Sequence, residues 1–197
     1  KVPLRTLPRA GESAEYFERL CREAQSQGYE YEVIPPERFA QNQEVYERIN
    51  KEWIKNSNYI QRNFIPGKYE ERYMKEMNFG VLKKDGVICA FSVIAASKSG
   101  YEASSGVVRH LGCSGNIFEY LIYQNMLWAK ANGYKWFDLG LTYMPDTDND
   151  SDIMKRFSKM FMFAEHFNYD IGRLKEFKNK FSPLWHDKYI AVHPDKY

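Results

Sequence analysis

The spacing of apolar and polar positions changes period along the chain, and each change marks an element. Ser13 to Gln27 has helical composition and Gly28 supplies a stop. Tyr29 to Ile34 (YEYEVI) alternates as a half-buried strand does, and Pro35-Pro36 ends it. Arg38 to Lys55 places Phe39, Val45, Ile49, Trp53 and Ile54 at helical spacing, and Lys68 to Met77 predicts a second, shorter helix. Phe79 to Ala96 holds two apolar runs around Lys83-Lys84-Asp85-Gly86. Asp-Gly is suited to the positive φ angles of a tight hairpin turn. A third strand is predicted over Ala103 to Arg109. Ile117 to Ala131 follows, apolar on most sides and stopped by Asn132-Gly133, as a helix buried against a sheet would be. Trp136 to Leu141 reads as a strand. An acidic loop, Asp146 to Asp152, then caps a helix whose apolar face is Ile153, Phe157, Met160, Phe161 and Ala164. Leu174 to Phe181 is helical up to Pro183, and Tyr189 to Val192 is the last predicted strand. Residues 1–11, with two prolines and no period, read as a linker or the tail of a preceding unit. The alternation of strands and helices predicts an α/β or α+β fold, a central sheet with helices on both faces.

Composition narrows the class. A chain of 197 residues with 44% hydrophobic content can bury a core without disulfides. Its 28 basic and 26 acidic residues give +2, so a nucleic-acid or lipid surface would have to be a local patch. Cys21, Cys89 and Cys113 form no CxxC pair and read as reduced thiols of a cytosolic compartment. The longest weakly polar stretch, Val87 to Ala96, is far short of the roughly 20 residues a spanning helix needs.

Candidate chemistry is thinly spread. Asp146, Asp148, Asp150 and Asp152 alternate like a calcium loop, but Ser151 and Phe157 stand where that loop needs Gly and Glu. His110, His166, His186 and His193 lack metal-ligand spacing, and there is no GxSxG. The element order resembles that of the GNAT acyltransferases, in which two splayed central strands admit the acyl donor. Arg109-His-Leu-Gly112-Cys-Ser114-Gly115 partly matches their pyrophosphate loop, with Ser114 at the second small position. The run Arg173 to Trp185 interleaves cations with Phe177, Phe181 and Trp185. It suits either a solvated basic face or a cationic wall for phosphate.

That run, FKNKFSPLWHDKYIAV, resembles the C-terminal signature of the aminoacyl-phosphatidylglycerol synthases, the phosphatidylglycerol lysyltransferases or multiple peptide resistance factors. The loose family pattern GLRxFKxKFxPxWxxxYLAx is met at Leu174, Phe177, Lys178, Lys180, Phe181, Pro183, Trp185, Tyr189 and Ala191, with Lys175 for Arg and Ile190 for Leu. Leu127 to Leu141 (LWAKANGYKWFDLGL) is similar to the family's LWAKExGYxxFNLGM. Arg62 to Tyr73 and Val81 to Phe91 resemble two further motifs. The likeness covers roughly Tyr29 to Val192. Where the family has DLMR, this chain has Gly106-Val-Val-Arg109, and the family's MDFLF aspartate falls on Glu119.

The resemblance implies a GNAT-like mixed sheet over 29–197, preceded by a connecting helix at 12–28. It implies transfer of an aminoacyl group, lysyl by default, from aminoacyl-tRNA to the glycerol hydroxyl of phosphatidylglycerol. It also implies a role in antimicrobial peptide resistance at the cytoplasmic side of the cell membrane. A preceding GNAT-like domain and a membrane region are expected in a longer chain. The donor ester is already activated, so no cofactor and no metal are expected. The transfer needs a base for the acceptor and donors for the oxyanion. Arg109, Glu119 and Lys178 are the expected catalytic residues. Arg109 would bind phosphate or the oxyanion, Glu119 the donor's ammonium group, and Lys178 a lipid or tRNA phosphate. Lys180, Glu165 and Asp138 are the expected substrate contacts, with Glu165 beside His166 also a candidate base. Two alternatives stay open: a coenzyme-A-dependent GNAT N-acetyltransferase, and a non-catalytic tRNA- or membrane-surface-binding unit.

Overall fold

The computed structural model describes residues 1–7, 12–56, 69–112, 115–142 and 171–187. A six-stranded sheet has the order β1-β6-β5-β4-β3-β2. Its strands are β1 (Val2–Pro3), β2 (Tyr29–Ile34), β3 (Asn78–Lys84), β4 (Val87–Ala96), β5 (Glu102–His110) and β6 (Trp136–Asp138). β5 and β6 are parallel and every other neighbouring pair is antiparallel. The helices are α1 (Glu12–Ser26), α2 (Phe39–Asn56), the single turn α3 (Glu71–Met74), α4 (Gly115–Ala131) and α5 (Ile171–Lys180).

The two faces of the sheet carry separate cores. On one, α1 and α4 bury Phe17, Leu20, Tyr120, Leu121 and Met126 against Leu82, Ala90, Ile94 and Phe137. On the other, α2 lays Phe39, Tyr46 and Ile49 on Phe79, Val81, Phe91, Val93 and Val107. This is the predicted mixed sheet with helices on both faces. The β3–β4 hairpin turns on Asp85 (φ 53°) and Gly86 (φ 77°), as its Asp-Gly signature requires.

Three stretches depart from the sequence reading. Residues 1–7 are no free tail. Val2 and Pro3 pair with Phe137 and Trp136, and Val2, Leu4 and Leu7 are buried in the core. Pro3 is tolerated because β1 is an edge strand. The predicted helix 68–77 is only the turn α3. The strand expected over 136–141 stops at Asp138, whose carboxylate accepts from the Gly140 N–H at 2.7 Å while Gly140 turns to φ 80°. The acidic loop with its helix, and the strand at 189–192, lie outside the described residues.

The early stop of β6 shapes the middle of the sheet. β5 and β6 pair at Glu102–Trp136, Ala103–Phe137 and Ser104–Asp138. Among the described residues β5 then runs on to His110 against β4 alone. The two parallel strands therefore part at Ser105. Beneath that point Asn125 of α4 donates to Ser105 Oγ at 3.0 Å and accepts from the Tyr31 hydroxyl at 2.9 Å.

Candidate functional site

Arg109 lies one residue from the end of β5, on the α2 face, two positions beyond Val107. It is 4% exposed. Its Nε–H donates to Asn50 Oδ1 at 2.9 Å and an Nη1–H to the Val108 carbonyl at 2.8 Å. The guanidinium carbon sits 4.1 Å from the centre of the Trp53 ring. A buried charge is tolerated only when paired or hydrogen-bonded, and these contacts supply part of that compensation. The result is an oriented cation near the C-terminal end of β5, beyond its last pair with β6.

Glu119 lies on the other side of the sheet, where α1, α4 and α5 meet. It is 5% exposed and takes hydrogen bonds from the Tyr16 hydroxyl and from Lys180 Nζ, the latter at 2.5 Å. The same ammonium lies 5.8 Å from the Tyr16 ring centre. Burial, then the hydrogen bond and charge of Glu119, push the Tyr16 hydroxyl well above the usual phenol range. Carboxylate and ring together hold the Lys180 ammonium.

Lys178 differs from the solvated cation expected of a basic helix. It is 4% exposed, and its Nζ donates to the Gly140 and Leu141 carbonyls, each at 2.9 Å. Burial pulls its pKa down to about 8, against a smaller upward pull from the Asp138 carboxylate. Lys178 and Asp138 thus hold the two ends of one short turn, the carboxylate on the Gly140 N–H and the ammonium on the carbonyls that follow. An aromatic seam seats α5 for this task. Phe177 packs on Phe118 with centres 4.8 Å apart, and Phe181 on Phe17 at 5.3 Å. Among the described residues no three His, Cys, Asp or Glu side chains converge on a metal-sized site.

Comparison with known proteins places this geometry. The model of the family described as phosphatidylglycerol lysyltransferase, C-terminal, matches residues 2–192. The chain belongs to that family. A phosphatidylglycerol lysyltransferase of Bacillus subtilis is 24% identical over 99% of this chain and 23% of its own length. One from Staphylococcus haemolyticus is 24% identical over 75% of this chain and 18% of its own. The chain thus spans less than a quarter of these curated relatives. Among solved structures, the C-terminal domain of a protein described as a lysylphosphatidylglycerol synthetase from Agrobacterium fabrum superposes with a TM-score of 0.78 at 24% identity, covering 93% of this chain and 56% of that one. L-PGS from Bacillus licheniformis gives 0.72 at 23% identity, over 93% of this chain and 55% of its own. These two likenesses show the shared fold.

Within this lysyltransferase-family domain the expected site residues fall into two groups. Glu119 and Lys180 touch where α1, α4 and α5 meet, and Lys178 of α5 and Asp138 of β6 hold the turn after β6. Arg109 stands across the sheet on the α2 face. Glu165 lies outside the described residues, as do Cys113 and Ser114 of the glycine loop. Sequence reasoning missed Asn50, Trp53 and Tyr16 as partners. A signal for the first was available. Tyr46, Ile49, Asn50 and Trp53 fall at i, i+3, i+4 and i+7, so an amide occupies a position that periodicity assigns to the core. Lys178 breaks the set Leu174, Phe177, Lys178 and Phe181 in the same way.

Proposed function

We propose that this domain transfers an aminoacyl group, lysyl by default, from aminoacyl-tRNA to the glycerol hydroxyl of phosphatidylglycerol. Family membership supports the acceptor and the transferase class. The observation that carries the residue assignment is Arg109, a buried, oriented guanidinium near the C-terminal end of β5, on the stretch that runs past the last β5–β6 pair. The acceptor oxygen attacks the ester carbonyl carbon, and the electron pair of the C=O bond moves onto its oxygen. Collapse of that intermediate expels the ribose oxygen of the tRNA end, which takes up a proton. The acceptor's proton leaves to a base, with Glu165 as the candidate.

Arg109 cannot lose its charge at ordinary pH, so its role is to stabilise the oxyanion or anchor a phosphate. Glu119 and Tyr16, across the sheet from Arg109, hold Lys180 and so are given a structural place, tying α5 to α1 and α4. Lys178 and Asp138 hold the turn that ends β6. Lys178 is therefore given a structural place in the site in preference to a direct phosphate contact, because both carbonyl bonds engage its ammonium.

The test is lysyl transfer from charged tRNA to phosphatidylglycerol vesicles by the full-length protein. Arg109→Lys keeps the charge and loses the planar fork. Transfer should fall by about 10²-fold or more, the scale of removing one oxyanion donor. Because Arg109 is buried, the variant should also melt earlier, by about 1–3 kcal/mol for the groups left unpaired. Rates are therefore compared well below its melting transition. Normal transfer by Arg109→Lys would return the residue to a purely structural role.

A further inference from the structure

We infer that Asn50 and Trp53 are positioning residues that hold the Arg109 guanidinium in a single orientation for the anionic group it meets during transfer. The inference rests on the assignment of Arg109 above. Asn is a poor helix former, and a buried amide is costly unless its hydrogen bonds are met. Asn50 nevertheless sits in the interior of α2 and is 8% exposed. Its neighbours on that face, Tyr46 and Ile49, are fully buried, so an apolar residue would pack there without the amide's cost. What the amide supplies is an oxygen 2.9 Å from Arg109 Nε.

Three contacts orient the guanidinium. The Nε–H bond to Asn50 and the Nη1–H bond to the Val108 carbonyl act within the guanidinium plane and fix position and rotation in it. The Trp53 ring, 4.1 Å away, fixes the tilt of that plane. Asn50 and Trp53 are three residues apart, hence neighbours on one helix face, and α2 presents both to β5 as a unit. An arginine side chain otherwise samples many rotamers, and an oriented donor must be in place before the oxyanion forms. Rigid packing of α2 on the sheet through Phe39, Tyr46 and Ile49 carries that orientation.

The experiment is steady-state lysyl transfer with Asn50→Ala, Trp53→Leu and Trp53→Phe in the full-length protein. Each is also placed in the Arg109→Lys background. Asn50→Ala and Trp53→Leu should lower kcat tenfold or more with KM for both substrates within about twofold. Trp53→Phe retains an aromatic face and should stay within about threefold of wild type. In the Arg109→Lys background neither loss should recur, because both residues act through the arginine. An Asn50→Ala protein with normal kcat, beside an impaired Arg109→Lys, overturns the inference and leaves the role of Arg109 standing. Equal losses in both backgrounds overturn it too, since the residues then act by another route. Normal transfer by Arg109→Lys removes the reading and the inference together. Solvent exchange of the Arg109 Nε–H, followed by NMR, reads the clamp without turnover. It should be slow in wild type and fast in Asn50→Ala, and equal rates would refute the clamp. Trp53, half-buried, gives a second route should Asn50→Ala fail to fold.

Discussion

A buried lysine states its own energetics. Lys178 has a folded-state pKa of about 8 against 10.5 for an unburied lysine. Below pH 8 both states hold the proton, and the folded protein bears the cost of a desolvated charge. As pH rises from 8 toward 10.5 the folded state releases the proton while the unfolded chain keeps it, so stability rises across that window. The gain is at most about 3 kcal/mol, from the size of the shift. Urea unfolding at pH 7, 8, 9 and 10 should show wild type gaining stability relative to Lys178→Met over the upper part of that range. A constant difference between the two proteins would refute the burial of this charge. The residue was legible in FKNKF as a candidate, but its environment was misread. A Lys-rich helix suggests solvation, whereas the i, i+3, i+4, i+7 set through Leu174, Phe177 and Phe181 turns Lys178 inward and leaves Lys180 at the rim.

Elements declared themselves through local signals, and their contacts did not. The β3–β4 hairpin was readable from Asp85-Gly86 and α4 from its apolar run, because turn chemistry and periodicity act over a few residues. The turn after β6, begun by the local Asp138–Gly140 bond, is also held by Lys178, 38 residues from Gly140, and β1 depends on the strand at Trp136 and Phe137. No local pattern encodes such pairings. The packing of α4 on β3 is another long-range contact, and it makes a sharp prediction. A Cβ added to Gly80 would lie 2.0 Å from Asn125 Oδ1, and that amide is held by Tyr31 and Ser105. Gly80→Ala should therefore cost about 1–3 kcal/mol, the usual scale for overpacking. Asn125→Ala should also destabilise, by orphaning two hydroxyl groups. In the double variant the clash is gone, so its loss should be smaller than the sum of the single losses by about 0.5 kcal/mol or more. Strict additivity in denaturant titrations would mean that the amide and the glycine do not meet.

Over this chain charge is nearly balanced at +2, so any attraction it exerts on the proposed tRNA donor or on an anionic bilayer must come from where cations are placed. Among the described residues no helix is long and apolar enough to cross a membrane. Helix α5 contributes cations of two kinds. Lys178 is buried on backbone carbonyls; Lys180 is exposed at the rim and tied to Glu119, and Arg173 and Lys175 are exposed as well. The sequence pattern suggested that Lys178 and Lys180 meet phosphates; with both engaged, Arg173 and Lys175 on the exposed side of the helix are the cations to test in their place. Each phosphate neutralised by a cation releases counterions, so binding to nucleic acid falls with salt by a slope of about 0.7 to 0.9 per contact. The double variant Arg173→Ala, Lys175→Ala should lower the slope of log affinity against log salt for tRNA by about one to two. It should also weaken capture by phosphatidylglycerol vesicles at low salt. Its melting temperature should stay close to wild type, since surface substitutions of this kind usually shift stability by no more than about 0.5 kcal/mol. Salt-dependent binding measured by fluorescence anisotropy and vesicle sedimentation decides the matter. A slope identical to wild type in a protein that melts normally would make α5 a solvated face whose work is done from its buried side, through Lys178 on the turn after β6.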